Sequence, residues 1–241
     1  MRRFATVIIL SLFFLNFFSL SQESEKAQDI IEKMVEAQGG TKLLKGIKDM
    51  TMTGTFELVQ QGLSGPLTFY KKEPDKRRAD VELMGMLITQ AYDGTLAWWV
   101  NPQTGATEEM PETEAANMKR EAMPSVAILN PKKYGLSFAY KGKETIEGKD
   151  HFVLEQTYPD GFKATLYVDS TTYLTTKSKG TQNTQMGEVE FEQFASDYKK
   201  VNGMMLPHSV VTYSNGAEYM KITLTEVKFN TGLEDSFFKM N

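Results

Sequence analysis

The feature that most constrains the fold of this chain is a set of short turns between runs of alternating apolar and polar residues. Asp93-Gly94, Asp160-Gly161 and Asn215-Gly216 each separate two such runs. Asp-Gly and Asn-Gly favour the type I′ turn of a two-residue hairpin, since these residues tolerate a positive φ. Strands joined by hairpins pair with their chain neighbours. The sequence therefore predicts a single antiparallel sheet, curled or closed, rather than βαβ units.

Alternation of period two extends this sheet along most of the chain. The first strand begins at Asp49, and the last ends at Phe229. Within the last strand the apolar residues change phase, which predicts a β-bulge near Thr225. The predicted strands are 49–58, 66–72, 77–83, 87–92, 95–100, 152–158, 162–168, 210–213 and 217–229.

A helical pattern precedes the first strand. It ends at Gly39-Gly40, a helix C-cap signal, and Thr41 is predicted to cap a short second turn that carries Leu43, Leu44 and Ile47. The apolar residues at helical spacing are Ala27, Ile30, Ile31, Met34 and Val35.

A second helical segment interrupts the strands at residues 111–131. Its start is marked by Glu112 after a proline, and Lys119 and Arg120 lie where a last helical turn favours cations. The apolar face of this helix is thin, whereas residues 123–129 are more apolar. Because weakly packed elements open most easily, we predict that this mid-chain segment is a lid.

Residues 1–21 have the three-part pattern of a secretory signal peptide. Arg2 and Arg3 precede the uncharged apolar run 4–18, and Ser19-Leu20-Ser21 offers small residues at the cleavage site. The alternative is a membrane anchor, but fifteen residues at ~1.5 Å each reach only about 22 Å, short of a ~30 Å hydrocarbon core. We expect cleavage after Ser21, release into the periplasm, and one domain over residues 22–241.

Composition and motifs argue against several function classes. The net charge of -4, which becomes -6 when the two leader arginines are removed, gives no reason to expect nucleic acid. With no cysteine, disulfides, thiol catalysis, thiolate metal sites and a lipid-modified cysteine are excluded. The chain has no H-E-x-x-H, P-loop, G-x-S-x-G or Rossmann motif. His151 and His208 are expected at a strand end and in a loop, so we predict neither a catalytic residue, a metal nor a cofactor.

An apolar cavity is the predicted site instead. Nine apolar side chains share one period-two phase in consecutive strands and are expected to line a concave face: Phe56, Leu58, Leu67, Phe69, Val81, Leu83, Ile88, Leu96 and Trp98. Met118, Met123, Ile128 and Leu129 are expected to cover it from the lid. The 14 methionines suit either a pliable pocket or ordinary core packing.

Two pairs of adjacent residues test this assignment of faces. Adjacent strand residues point to opposite faces, so only one of Trp98-Trp99 and at most one of Arg77-Arg78 faces a cavity. The phase of Leu96 and Val100 predicts that Trp98 faces inward. An arginine that faces the cavity could contact an anionic head group.

Residues from 30 to 237 resemble the LolA-like superfamily of outer membrane lipoprotein-sorting and carrier proteins, in the form common among Bacteroidota. The resemblance lies in the order and spacing of short stretches rather than in one motif. These are Ile30 to Ile47, Tyr92-Asp93-Gly94 through Trp99, Asn101-Pro102-Gln103-Thr104-Gly105, Val168-Asp169 with Thr171-Thr172-Tyr173-Leu174, Ser196-Asp197-Tyr198 with Val201-Asn202-Gly203, Leu206-Pro207-His208, and Phe229-Asn230 to Phe237.

The resemblance implies a mainly β (α+β) fold: a half-open antiparallel β-barrel with an N-terminal helix and a mid-chain helical lid. It implies a periplasmic, non-enzymatic carrier that shields lipid or lipoprotein acyl chains, with membrane donor and acceptor proteins as partners. Arg78 is then the nearest candidate for the carriers' lid-gating arginine and for contact with a head group. The alternative is a non-catalytic structural or interaction domain whose barrel is filled by its own side chains.

Overall fold

The computed structural model describes residues 11–101, 104–184 and 187–240, with side chains from residue 25 onward except at 183 and 184. The helices are α1 (Ser11–Gln38), α2 (Thr41–Gly46) and α3 (Glu112–Glu121). Short 3-10 turns lie at Val59–Gln61, Ser125–Leu129, Pro131–Tyr134 and Asp235–Phe238. The strands are β1 (Asp49–Leu58), β2 (Leu63–Lys72), β3 (Lys76–Leu83), β4 (Met86–Tyr92), β5 (Ala97–Val100), β6 (Thr107–Glu109), β7 (Ser137–Ile146), β8 (Lys149–Thr157), β9 (Lys163–Asp169), β10 (Thr175–Thr184), β11 (Gly187–Val201), β12 (Met204–Ser214) and β13 (Ala217–Phe229).

These thirteen strands form one antiparallel sheet in the order β6-β5-β4-β3-β2-β1-β13-β12-β11-β10-β9-β8-β7. Every neighbour in the sheet is a neighbour in the chain except β1 and β13, which join the two ends of the chain. β6 and β7 are the two free edges, and the segment between them carries α3. The sheet is a half-open barrel with an N-terminal and a mid-chain helix, which confirms the predicted fold class.

The hairpin turns are where the sequence placed them, but only one has the predicted geometry. At Asn215-Gly216 both residues have a positive φ, 49° and 79°, as a type I′ turn requires. The other two turns are longer because Asp93 and Asp160 hydrogen-bond their own loops. The Asp93 carboxylate accepts the N–H groups of Thr95 and Leu96, both at 2.8 Å, and of the pair Asp93-Gly94 only Gly94 has a positive φ. The type I′ prediction was wrong at these two turns.

The predicted β-bulge in the last strand is confirmed. Thr53 lies opposite Glu226 and Gly54 lies opposite Leu224, so Thr225 is the extra residue between them. The bulge returns Val227 and Phe229 to the same face of the sheet as Leu224. The β1–β13 seam therefore keeps one continuous apolar face.

That face, which we call the inner face, is the one against which the helices pack. Ile30, Ile31 and Met34 of α1 pack against Phe152 and Val168. At the end of α1, Leu44 of α2 joins the core beside Met204. The predicted cap at Thr41 was wrong, since α2 begins at Thr41 after Gly40 and no side chain caps it.

The signal peptide over residues 1–21 and its cleavage after Ser21 stay predictions. Residues 1–10 of the predicted signal peptide lie outside the described residues, and residues 11–21 form the beginning of α1. No helix in the described part of the chain is long and apolar enough to cross a membrane.

Candidate functional site

The strand register brings most of the predicted cavity residues together on the inner face. Leu67 lies opposite Gly54 and Val81, and Val81 lies opposite Ile88. By the same register four more predicted residues share this face: Phe56, Leu58, Phe69 and Leu83. Seven of the nine predicted strand residues therefore form one apolar surface across β1 to β4.

This apolar surface continues onto strands that the sequence-based list omitted. Phe56 lies opposite Ile222, and Leu58 lies opposite Met220. Ile222 in turn lies opposite Val210. The alternation of Met220, Ile222 and Leu224 was visible in the sequence, but only the β1–β13 pairing places it beside Phe56. The apolar inner face, as we call the surface from β12 through β13 to β4, thus spans six adjacent strands.

Most side chains of the apolar inner face are only half-buried, in contrast to the packed core. Leu67 is 1% exposed. The half-buried members are Phe56, Leu58, Phe69, Val81, Ile88, Val210, Met220, Ile222 and Leu224. A row of half-buried apolar side chains means that the helices leave part of this face uncovered. Such a surface is characteristic of a binding site rather than of a filled core.

At the turn between β3 and β4 the apolar surface reaches solvent. The turn between β3 and β4 exposes Met84 (76%), and Met86 and Leu87 are exposed beside it. Met86 lies opposite Leu83, so it has the phase of the inner face. The apolar lining thus runs without a polar break from the interior to the rim.

Trp98 does not line the inner face, which corrects the sequence analysis. It lies opposite Ala91 on the outer face, where its indole N–H donates to the carbonyl of Phe238 at 2.8 Å. Its neighbour Trp99 has the inner phase and packs beside Met118 of α3. The prediction was wrong for two reasons: Leu96 lies in the turn before β5, and Val100, which lies in β5, shares the outer phase of Trp98.

Arg78 lies on the outer face as well. Its guanidinium binds Asp80 at 2.9 Å and lies 4.4 Å from the centre of the Phe237 ring. The 3-10 turn Asp235–Phe238, which contains this ring, thus fastens the C-terminal end to the outside of the barrel. The arginine on the inner face is Arg77.

Arg77 and Arg120 attach α3 to opposite walls of the opening. Arg77 of β3 forms an ion pair with Glu121 at 2.7 Å and donates to Sδ of Met118 at 3.2 Å. From α3 itself, Arg120 forms an ion pair with Asp160 in the β8–β9 turn. α3 thus combines polar attachments at both walls with one small apolar contact, which Met118 makes.

The segment after α3 is held more firmly. Nζ of Lys71 donates to the carbonyl of Met123 at 2.6 Å, and Glu73 accepts the N–H of Ser125 at 2.9 Å. Burial lowers the pKa of Lys71, and Arg77 adds to that shift while Glu73 opposes it. A partly desolvated cation bound to a backbone carbonyl ties this segment to β2.

The predicted lid residues are divided between these two parts. Met118 is buried beside Ala97 and Met110. Ile128 and Leu129 pack against the core formed by α1 and α2. The predicted lid is therefore not one unit: residues 125–129 belong to the core, and the opening of α3 stays a prediction.

Beneath α3 lies a cavity of about 320 Å³. Residues of α3 form its cover, and the inner face of β9 to β13 forms its floor. Its lining is Asn117, Arg120, Glu121, Tyr158, Phe162, Ala164, Leu166, Ser178, Lys179, Gly180, Gln182, Phe191, Gln193, Thr212, Tyr219 and Met220. Met220 connects this cavity to the apolar inner face through Leu58.

Both histidines are buried inside strands, contrary to the sequence analysis. His151 is 3% exposed, and its ring nitrogens contact the Lys149 carbonyl at 2.9 Å and the Thr176 hydroxyl at 2.8 Å. His208 lies within β12 beside the carbonyl of Leu206. Each ring therefore already has hydrogen-bond partners in its strand environment. In the described part of the chain no three His, Cys, Asp or Glu residues could hold a metal ion.

Solved structures share this fold at low sequence identity. An outer membrane lipoprotein-sorting protein domain from Vibrio parahaemolyticus has a TM-score of 0.60 at 17% identity, covering 89% of this chain and 97% of that one. A LolA superfamily protein from Nitrosomonas europaea has a TM-score of 0.59 at 14% identity over 88% and 97% of the two chains. A DUF1329 family protein from Desulfovibrio piger has a TM-score of 0.60 at 14% identity, covering 90% of this chain and 97% of that one.

The sequence itself matches no protein-family model and no curated protein. The structural neighbours nevertheless confirm, at the level of the fold, the resemblance to LolA-like and lipoprotein-sorting proteins that the sequence suggested.

Proposed function

We propose that this protein binds the acyl chains of a lipid or lipoprotein on its apolar inner face and shields them from water. The observation that carries this proposal is the row of half-buried apolar side chains across six adjacent strands. The alternative, a barrel filled by its own side chains, would bury Phe56, Val81 and Ile222 as it buries Leu67. α3 then acts as a lid with polar attachments on both walls.

We further infer that the protein works in the periplasm as a carrier. The leader-like residues 1–21 support export. One protein that shares the fold, from Vibrio parahaemolyticus, is described as a lipoprotein-sorting domain. A carrier of this kind would exchange its cargo with membrane donor and acceptor proteins, without chemistry on the cargo.

The energetics are consistent with shielding from water. Burial of about 14 methylenes at ~0.8 kcal/mol each gives roughly 11 kcal/mol. Association costs of ~4–15 kcal/mol offset much of this gain. From a bilayer the gain nearly vanishes because the lipid is already in an apolar medium. Transfer of a chain from a bilayer to the protein therefore requires a donor protein. The affinity of the protein for the chain serves to keep the chain out of water.

Affinity for monoacylglycerols should rise with chain length, by about fourfold for each added methylene, because each contributes ~0.8 kcal/mol and 1.4 kcal/mol is tenfold. The increase should stop when the chain exceeds the apolar inner face. The measurement is displacement of an environment-sensitive dye by C8 to C18 chains below their critical micelle concentrations. Affinity that is independent of chain length, or no displacement at all, would contradict the proposed function.

A further inference from the structure

The inner face of the barrel is not uniformly apolar. On β10, β11 and β12 the inward residues Ser178, Gln193 and Thr212 lie side by side, since Ser178 is opposite Gln193 and Gln193 is opposite Thr212. All three line the cavity beneath α3. The next residue across the sheet is Met220, where the apolar inner face begins. The interior is thus a polar row beside an apolar wall.

Thr212 stands at the boundary between the two, and its hydroxyl has no hydrogen-bond partner among the described residues. The residue is 3% exposed. More than about 90% of buried polar groups in native proteins have a partner, because leaving one unpaired costs free energy. A buried, unpaired hydroxyl in the wall of a cavity is therefore a group whose partner enters with the ligand.

The charged residues around this cavity either form ion pairs or lie on the outer face of the sheet. Arg120 pairs with Asp160, and Glu121 pairs with Arg77. The third charged residue of the lining, Lys179, has the outer phase of β10, between inward Ser178 and Gly180. The side chains of the polar row therefore form hydrogen bonds but carry no charge. Such groups bind a neutral carbonyl better than an anionic phosphate or carboxylate.

We propose that the polar row Ser178–Gln193–Thr212 is a subsite for the acyl carbonyl of an ester- or amide-linked chain, with the Thr212 hydroxyl donating to the carbonyl oxygen. This inference rests on the proposed function and deepens it. The alkyl chain extends from Thr212 past Met220 onto the apolar inner face. The protein accordingly distinguishes an acyl chain from an alkyl chain of equal length.

A matched pair of lipids tests the subsite. 1-Palmitoylglycerol and 1-O-hexadecylglycerol have the same head group and chain length, but the ether lacks the carbonyl. We expect the wild-type protein to bind the ester about fivefold more tightly, as one net hydrogen bond of ~1 kcal/mol implies. Thr212→Val should abolish this preference and leave ether affinity within about twofold. The amide N-palmitoylserinol, measured in the same way, separates amide-linked from ester-linked cargo.

Two control variants accompany the test. Thr223→Val changes an exposed threonine on the outer face of β13 and should keep the preference for the ester. Thr212→Ser keeps the hydroxyl and should keep the preference too, which covers the case that the valine variant folds poorly. Equal affinities of the wild type for the ester and the ether would overturn the subsite. The Thr212 hydroxyl would then bind only water, and the proposal that the protein binds acyl chains would be unaffected. Failure of both lipids to bind would overturn the proposed function itself.

Discussion

Ile222→Asp is expected to weaken acyl-chain binding by at least about 100-fold, because a carboxylate on the apolar inner face must lose its water when a chain covers it. The effective penalty for burying an ion is several kcal/mol, and 1.4 kcal/mol is tenfold. Ile222 is half-buried and lies opposite Phe56, in the middle of the proposed chain-binding surface. Dye displacement by a C16 monoacylglycerol measures the loss.

The adjacent residue provides the matched control. Thr223 is exposed on the outer face of the same strand, so Thr223→Asp adds the same charge without touching the interior. It should bind the chain as tightly as the wild type. Both variants should unfold cooperatively, since neither position belongs to the fully buried core. Equal affinities for the two variants would show that the chain does not bind on the inner face.

Locking α3 to the barrel wall is expected to slow loading by more than about tenfold, because α3 covers the cavity in which the acyl carbonyl is proposed to bind. The amides of Asn117 and Gln182 approach to 3.4 Å across the gap between α3 and β10. The chain has no cysteine of its own. Asn117→Cys with Gln182→Cys, bridged by a short bis-thiol reagent, therefore crosslinks one defined pair. Stopped-flow quenching of a fluorescent acyl probe gives the loading rate.

The unbridged double variant and each single cysteine treated with the same reagent are the controls, and all should load at wild-type rates. Hydrogen exchange gives an independent reading of the same motion. Residues 112–121 should exchange faster than the central strands, whereas 125–129, which pack on the α1–α2 core, should not. A bridged protein that loads at the wild-type rate would show that the chain enters by another route.

The fold was accessible from sequence where local signals act alone. Hairpin dipeptides and period-two runs located β1 to β5, β8, β9, β13 and the last part of β12, and the phase change in β13 located its bulge. The strands that were missed carry weak local signals. β10 reads TTKSKGTQNT, with no apolar residue, and is a strand only because β9 and β11 pair on both sides of it.

The site was less accessible because it depends on which strands are neighbours. The alternation within single strands placed Phe56, Leu67 and Val81 on the correct face. It placed Trp98 on the wrong face, because Leu96 lies before the strand and the apolar Val100 lies on the outer face with Trp98. The contribution of Ile222 needed the β1–β13 pairing, 166 residues apart at Phe56. No sequence signal distinguishes Thr212 from the other threonines, since its burial without a partner is a property of the assembled barrel.

The most direct test of the proposed function is mass spectrometry of lipids extracted from the exported protein after detergent-free purification. The wild-type protein should carry long-chain acyl lipid in amounts approaching one chain-bearing molecule per protein, and Ile222→Asp should carry almost none while Thr223→Asp matches the wild type. Wild-type protein that yields no acyl lipid and binds none when it is offered, or the same lipid content in all three proteins, would contradict the conclusion that the inner face of this barrel shields acyl chains.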